Sequence, residues 1–181
     1  MSAPHILPYQ GKTPDIAADA FIAPGSHIIG DVTIGAHSSI WYNCVVRADV
    51  QRIVIGARSN IQDGSVIHVT SKTHGTFIGD DVLIGHMALI HGCTLEDRAF
   101  VGLGAIVMDG CVIGQEAMLA AGAMLTPGKH IPAGEMWAGR PAKFVRVLSA
   151  QERARNAKGT DSYVQVAAEH KAALAAHRTG S

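Results

Sequence analysis

The chain has 181 residues with 15 basic and 15 acidic side chains, and 48% of its residues are hydrophobic although only 5% are aromatic. Zero net charge without a basic run argues against nucleic-acid binding, and no apolar stretch reaches the roughly 18 to 20 residues of a membrane span. The first residues, MSAPHILPYQG, lack the pattern of a signal peptide, and three cysteines suit a reducing compartment, so the sequence predicts a cytoplasmic protein.

An apolar residue recurs at every sixth position along most of the chain. A small residue usually occupies the fifth place of each repeat, and glycine often follows the apolar anchor, as in IGAHSS, IGDDVL and VGLGAI. A six-residue period does not match a helix, whereas it suits a short strand and a corner, stacked coil upon coil as a solenoid. The anchors are Ile16, Ile22, Ile28, Ile34, Ile40, Val46, Ile55, Ile61, Ile67, Ile78, Ile84, Ile90, Leu95, Val101, Val107, Ile113, Leu119, Leu125 and Ile131.

The repeat resembles that of the hexapeptide-repeat proteins. Their fold is an all-β solenoid, the left-handed parallel β-helix, with three six-residue sides per coil. The resemblance covers about residues 15–136, or around six coils, within a single domain of residues 1–181. It implies the left hand of the solenoid, which periodicity alone does not determine. The extra residues near 52–54 and within 70–77 are expected to bulge at corners.

The sequence after the repeats predicts helices that cover the solenoid. The segment WAGRPAKFVRVL resembles the exit segment of the superfamily. Ser149 and Glu152 have the spacing of a capping box at a helix start, and Gly159 is suited to end that helix. The segment DSYVQVAAEHKAALAAHR then predicts a second helix, so that the helical part extends over about residues 149–178.

The repeat assigns each histidine to one side of the coil. We label the side that begins at Val46 side A, the side that begins at Ile55 side B, and the side that begins at Ile61 side C. On this count His68 and His91 directly follow the anchors of side A in successive coils. Because stacked strands lie about 4.8 Å apart, the two imidazoles are close enough to share one metal ion.

Other polar side chains fall in register with this pair. Arg47 takes the same place on side A one coil earlier, while His86 lies on side C one coil after Asp63. Side chains on different sides of a triangular prism diverge, so His86 is not expected to reach the metal held by its own chain. A neighbouring subunit would supply it instead, and a closed three-fold ring satisfies every such contact with one interface.

The runs RADVQRIVIGARSNIQDGSVIH and IGHMALIHGC strongly resemble the γ-class carbonic anhydrase family. The resemblance implies a homotrimer with a divalent metal at each subunit interface. His68 and His91 of one chain and His86 of its neighbour would be the metal ligands. The family's other site residues match Arg47, Asp49, Gln62 and Asp63.

The resemblance also implies the reaction, which is reversible hydration of CO₂ to bicarbonate. Three imidazoles on zinc leave an open position, and zinc lowers the pKa of bound water to about 7, so that hydroxide becomes available to attack CO₂. Gln62 is expected to orient the hydroxide or a substrate oxygen. Arg47 and Asp63 are expected to pair across the interface, with Asp49 orienting Arg47. Fe²⁺ or Co²⁺ would also suit three histidines.

One loop departs from the family pattern. The best-known active form carries an acidic loop with a glutamate that shuttles protons, whereas the corresponding VTSKTHGTF contains no carboxylate. Histidine has the pKa range that a shuttle needs, which makes His74 a candidate. Without an efficient shuttle, proton release is expected to limit turnover. Tyr163 matches only loosely a tyrosine near the family's site.

Three other functions stay open. Metal-activated hydroxide attacks other carbonyls, so hydrolysis of an ester or thioester is one alternative. A non-catalytic trimeric scaffold or metal-binding protein is a second. A hexapeptide acyltransferase that uses acyl-CoA is a third, although it needs no metal and would not explain the histidines in register. Finding no metal in the purified protein would favour the acyltransferase or the scaffold.

Overall fold

The structure is a computed structural model that describes residues 3–179. Parallel pairing joins the short strands of successive coils, and at the end of the solenoid Glu135–Ala138 pairs antiparallel with Lys143–Val147. The chain forms a parallel β-solenoid of about seven turns, slightly longer than predicted, with the left-handed β-helix fold of hexapeptide repeats. In chain order, the elements are β1 (His5–Leu7), β2 (Asp15–Ile16), β3 (Phe21–Ile22), β4 (His27–Ile34), β5 (Ser39–Ile40), β6 (Val45–Ile55), β7 (Asn60–Ile61), β8 (Val66–His68), β9 (Thr76–Ile78), β10 (Leu83–Ile84), β11 (Leu89–His91), β12 (Thr94–Leu95), β13 (Phe100–Val101), β14 (Ile106–Val107), β15 (Val112–Ile113), β16 (Met118–Leu119), β17 (Met124–Leu125), β18 (His130–Ile131), β19 (Glu135–Ala138), β20 (Lys143–Val147) and α1 (Ala150–Thr179).

The predicted anchors form the core of the solenoid. Every anchor from Ile28 to Ile131 is at most 3% exposed, while Ile16 and Ile22 in the first coil are partly buried. Burial of an isoleucine or leucine side chain stabilises the fold by about 1.5 to 3 kcal/mol relative to its exposure. The small residues are buried at the corners, where the Ser65 hydroxyl donates to a carbonyl of the next coil at 3.0 Å. The six-residue pattern therefore defines the core, as predicted.

The two insertions do not disturb the stacking of the coils. In the pairing of β4 with β6, Gly30 faces Ala48 and Val32 faces Ile53, so residues 49–52 bulge within one continuous strand. The prediction had placed this bulge near 52–54 at a corner. The second insertion lies in the predicted region, as a turn closed by an antiparallel bridge between Thr70 and His74. The coils on either side of each insertion stay in register.

The C-terminal segment forms one helix, α1, whereas the sequence predicted two. Its start is as expected, because Ser149 Oγ accepts the N–H of Glu152 at 3.2 Å and Glu152 Oε2 accepts the N–H of Ser149 at 2.9 Å. Gly159 does not end the helix. It lies against the solenoid, beside Thr160, whose hydroxyl donates to a carbonyl of the solenoid at 3.3 Å. Contacts of α1 with side C outweigh the cost of about 1 kcal/mol for glycine in a helix.

No helix within residues 3–179 combines the length and the apolar character that crossing a bilayer requires.

Candidate metal centre

Two histidines on side A face each other across adjacent coils. His68 ends β8, His91 ends β11, and the two are register partners in the sheet. The Nδ1 atom of His68 lies 3.0 Å from the Nε2 atom of His91. Two nitrogens at this separation can both lie about 2.0 to 2.1 Å from one zinc ion, the usual Zn–N distance. The pair therefore has the geometry of two adjacent metal ligands.

Each imidazole also contacts a carboxylate through its outer nitrogen. His68 Nε2 lies 3.0 Å from Asp49 Oδ1, and His91 Nδ1 lies 2.6 Å from Asp109 Oδ1. The second oxygen of Asp49 accepts a hydrogen bond from Arg47. A carboxylate that accepts the outer N–H of an imidazole leaves the inner nitrogen as a lone pair, as histidine metal ligands require. The donor set thus fits a divalent metal.

The two carboxyl groups are stabilised in their charged form. Partial burial raises the pKa of Asp49, but hydrogen bonds from His68, a backbone N–H and Arg47 outweigh it, so this pKa is lower than usual. Partial burial also raises the pKa of Asp109, but the hydrogen bonds from His91 and Thr70 outweigh this effect, so this pKa is lower than usual as well. Both side chains are therefore negative at neutral pH, when they can accept imidazole N–H groups.

A second cluster lies on side C. His86 Nδ1 lies 2.9 Å from Asp63 Oδ2, and both side chains are 41% exposed. Gln62 is buried, and its Nε2 donates to Asn60 Oδ1 at 3.1 Å. Tyr163 of α1 is near this cluster: burial chiefly, and the charge of Asp63 in addition, raise the pKa of its hydroxyl. These residues form a group separate from the histidine pair of side A.

The predicted site residues therefore divide into two groups within one chain. The structure brings Arg47 and Asp49 together with the paired histidines, whereas Gln62, Asp63 and His86 lie on the other side. Among residues 3–179, no three His, Cys, Asp or Glu side chains come together as one metal-binding group.

Asp109 was not among the site residues predicted from the sequence. Asp109 follows β14, which pairs with β11 so that Val107 faces Ile90. Extending the side-A count by one further coil places Met108 in register with His91 and Asp109 one position further on, opposite Gly92. Thr70, which donates to Asp109 Oδ2 at 2.8 Å, was also missed because it belongs to an insertion that the repeat count does not cover.

An apolar column runs along side A next to the candidate ligands. Its members occupy matched register positions and are partly exposed in the single chain; they are Val45, Val66, Leu89, Ile106 and Met124. Contiguous exposed apolar surface in a globular protein commonly marks an interaction site.

Comparisons with known proteins identify the family. A family model described as bacterial transferase hexapeptide (six repeats) matches residues 13–48. Gamma carbonic anhydrase 1, mitochondrial, of Arabidopsis thaliana is 46% identical over 166 residues, which cover 89% of this chain and 60% of that protein. A carbonic anhydrase of Geobacillus kaustophilus is 43% identical over 167 residues, which cover 92% of this chain and 91% of that protein. The chain belongs to the γ-carbonic anhydrase-like family of hexapeptide-repeat proteins.

Members of the γ-carbonic anhydrase-like family differ in length, and structures similar to this chain carry other names. The chain spans about three fifths of the length of the Arabidopsis relatives that it matches. A Bacillus cereus structure, described as that of a candidate acetyltransferase, is 40% identical, with a TM-score of 0.92 over 94% of this chain and 99% of that one. The names of proteins similar to this chain thus include both carbonic anhydrase and acetyltransferase.

Proposed function

We propose that the protein is a homotrimeric, zinc-dependent enzyme that hydrates CO₂ reversibly to bicarbonate. The pair formed by His68 and His91 carries the proposal: the inner nitrogens face each other 3.0 Å apart while carboxylates contact the outer ones. A relative named carbonic anhydrase that aligns over nearly its full length adds support.

A neighbouring subunit is proposed to supply the third ligand. Side A offers two imidazoles, and the described part of one chain offers no third group to complete the site. His86 lies at the edge of side C, 41% exposed, beside Met87 and Leu103, which are 71% and 53% exposed. Exposed apolar side chains around a histidine suit burial between subunits. We therefore propose that side C of one chain meets side A of the next.

The chain's own residues would position the ligands and the substrate. When bound, zinc lowers the pKa of water to about 7 and so supplies hydroxide at neutral pH. Asp49 holds His68 and Arg47 at the same time. Gln62 has one amide N–H held by Asn60. Its other N–H is left to donate to an oxygen of CO₂ or bicarbonate, and its oxygen is left to accept the hydrogen of a hydroxyl group.

Arg47 and Asp63 are proposed to pair across the same interface. Their side chains are 42% and 41% exposed in the single chain and lie on the two sides that would meet. Complementary charges across an interface set its register and favour the correct partner. Their main role would therefore be to align the ligands of the two subunits.

Zinc is the proposed metal, because three neutral imidazoles with an open position are typical of catalytic zinc sites. Fe²⁺ and Co²⁺ accept the same ligands, so the metal should be determined on protein purified with and without air. Cys44, Cys93 and Cys111 are free and buried, which fits a reducing compartment. We retain the cytoplasm as the proposed location.

The first experiment is stopped-flow CO₂ hydration by protein of known metal content, with His91→Ala and His130→Ala measured beside it. His130 is an exposed histidine of side B and serves as the matched control. We expect hydration that requires both metal and His91 and is unchanged in His130→Ala. A metal-loaded wild-type protein without hydration, tested with zinc and with reduced iron, would disprove the proposed substrate.

The loop at 69–77 bears on the rate of that reaction. It contains no carboxylate to carry protons away from the site. We therefore expect turnover to rise with the concentration of imidazole buffer, which carries protons in place of the absent carboxylate. Turnover that is already maximal in dilute buffer, and does not rise when imidazole is added, would contradict this expectation.

Two other outcomes would identify the alternatives. Metal without hydration would direct the search to small esters and thioesters, on which activated hydroxide also acts. Protein without metal would favour a scaffold or an acyl-CoA-dependent acyltransferase, a class of activity close to the one named for the Bacillus cereus structure.

Mixing two inactive variants tests the shared site. His86→Ala keeps the side-A ligands, whereas His91→Ala keeps the side-C ligand, so neither homotrimer has a complete site. Random reassembly of equal amounts places an intact side A against an intact side C at about a quarter of all interfaces. We expect about a quarter of wild-type metal content and hydration after joint refolding. No recovery, with trimers formed, would disprove a site shared between subunits.

A further inference from the structure

Both ring nitrogens of His91 are engaged, and the outer one makes the shorter contact. Nδ1 lies 2.6 Å from Asp109 Oδ1, while Nε2 faces His68 at 3.0 Å. Asp109 belongs to the coil after His91, just as Asp49 belongs to the coil before His68. The histidine pair is therefore held between two carboxylates that come from opposite directions along the solenoid.

Asp109 is itself held in a prepared position. Its Oδ2 accepts the hydroxyl of Thr70 at 2.8 Å, and Thr70 begins the turn that a backbone hydrogen bond from its N–H to His74 O closes at 2.9 Å. Gly92 has φ +54°, and a Cβ atom there would lie 2.3 Å from Asp109 Oδ1 and 2.9 Å from the Cβ of His74. The missing side chain of Gly92 thus makes the space that the carboxylate occupies.

The two imidazoles use different inner nitrogens. On in-register strands, identical ring atoms would be separated by about the strand spacing of 4.8 Å. The ring centroids of His68 and His91 are indeed 5.0 Å apart, but the rings are tilted by 58°, and Nδ1 of one approaches Nε2 of the other to 3.0 Å. This tilt brings two nitrogen atoms close enough to bind the same metal ion. In this arrangement each outer nitrogen contacts a carboxylate.

We infer that Asp109 is a positioning residue that holds His91 in the tautomer with its proton on Nδ1 and thereby presents Nε2 to the metal. When metal is bound, Asp49 would hold His68 in the opposite tautomer, with the proton on Nε2 and Nδ1 presented. Without metal, one of the two inner nitrogens, 3.0 Å apart, has to donate a hydrogen to the other; this hydrogen belongs to Nδ1 of His68, and Nε2 of His91 accepts it. Thr70 orients Asp109, so the turn at 70–74 supports the site through this carboxylate. The inference rests on the proposed metal site, although the tautomer of His91 can be measured without metal.

Three variants and one control test the inference. Asp109→Ala removes the acceptor, Asp109→Asn keeps an oxygen in the same place, and Thr70→Val removes only the hydroxyl that orients it. Asp19→Ala is the matched control, because Asp19 contacts the Nδ1 atom of His37 at 3.3 Å on the exposed surface. Thermal unfolding of each variant establishes that it folds before other measurements are compared.

The first readout is the nitrogen that carries the proton, measured by ¹⁵N NMR of histidine-labelled protein without metal at pH 8. His91, assigned from the signal lost in His91→Ala, should carry its proton on Nδ1 in the wild type and in Asp109→Asn. In Asp109→Ala the proton should move mainly to Nε2. A wild-type His91 with its proton on Nε2 would overturn the inference.

The second readout is zinc affinity, measured by competition with a chromogenic chelator. Removal of a carboxylate behind a ligating histidine typically weakens metal binding 10- to 100-fold. We expect this loss in Asp109→Ala, a smaller loss in Asp109→Asn and Thr70→Val, and wild-type affinity in Asp19→Ala. Wild-type affinity in a folded Asp109→Ala would overturn the inference. If the wild type binds zinc but does not hydrate CO₂, the proposed function is disproved. The positioning role of Asp109 is then still decided by the tautomer of His91 and by the zinc affinities of the variants.

Discussion

The Nδ1 atom of His68 and the Nε2 atom of His91 lie 3.0 Å apart although 23 residues separate them in the chain. Three hexapeptides would separate register partners by about 18 residues. The turn at 70–74 belongs to the insertion that makes up the difference, and the strands on either side keep their pairing. The insertion thus preserves the histidine pair and also provides Thr70, which contacts Asp109.

Loss of either side-A histidine should abolish metal binding. A site reduced from three imidazoles to two binds zinc far more weakly, so His68→Ala and His91→Ala should retain less than about a tenth of the wild-type metal per chain. His130→Ala should retain all of it. Elemental analysis after gel filtration measures the ratio, and an unchanged ratio in His91→Ala would contradict the ligand assignment.

Two glycine-to-alanine substitutions should change stability in opposite directions. Gly159 lies inside α1, and a Cβ atom there would meet Leu83 at 3.4 Å, an ordinary contact. Alanine should therefore stabilise the fold by about 0.5 to 1 kcal/mol through its higher helix propensity.

Gly30→Ala provides the contrast. Gly30 has φ +81°, and its Cβ would lie 2.3 Å from the carbonyl oxygen of Ala48, beside Asp49. Strain at this position should cost about 1 to 3 kcal/mol. Denaturant unfolding at a fixed protein concentration measures both variants, and stabilisation by alanine at position 30 would contradict the described backbone.

The cap of α1 should weaken in acid. Hydrogen bonds from Arg146 and Ser149 lower the pKa of Glu152 from 4.5 to about 2. Because the pKa is lower in the folded state, its stabilising contribution is complete above about pH 4.5 and is lost as the pH falls towards 2. The melting temperature of Glu152→Gln should therefore lie below that of the wild type at pH 7, and the difference should shrink between pH 4.5 and 3. Glu169→Gln, on the same helix, is the control, and a difference that stays constant to pH 3 would contradict this account.

The cysteine thiols should be unreactive in the native protein. Burial raises the pKa of Cys44 to about 12, and burial also raises the pKa of Cys93 and Cys111. Because the thiolate is the reactive form, a disulfide reagent at pH 8 should label no thiol before unfolding and three after denaturation. Rapid labelling of the native protein would show that a corner opens more readily than its burial indicates.

Several features of the fold and of the site could be predicted from the sequence. The regular spacing of apolar anchors predicted the buried core, and a solenoid coil converts that spacing directly into strand register. This is why His68 could be placed beside His91, and why Asp63 and His86 could be placed together on another side. Each of these inferences depends only on a repeat that continues in register.

The failed predictions concern places where the repeat does not apply. Glycine at position 159 is typical of a helix end, but α1 continues past it because the helix contacts side C of the solenoid. The bulge at 49–52 lies within β6 because Gly30 in the facing strand allows close approach there, which no pattern in residues 49–52 themselves indicates.

The core, the strand register and the pairing of the histidines all follow from the amino-acid sequence, because a six-residue period repeats the same geometry in every coil. The orientation of that pair, in contrast, depends on contacts between distant parts of the chain. Asp109 reaches His91 from the following coil, Thr70 reaches Asp109 from an insertion, and Gly92 leaves room for both. Such contacts depend on side-chain directions and on a loop path, which the period does not encode.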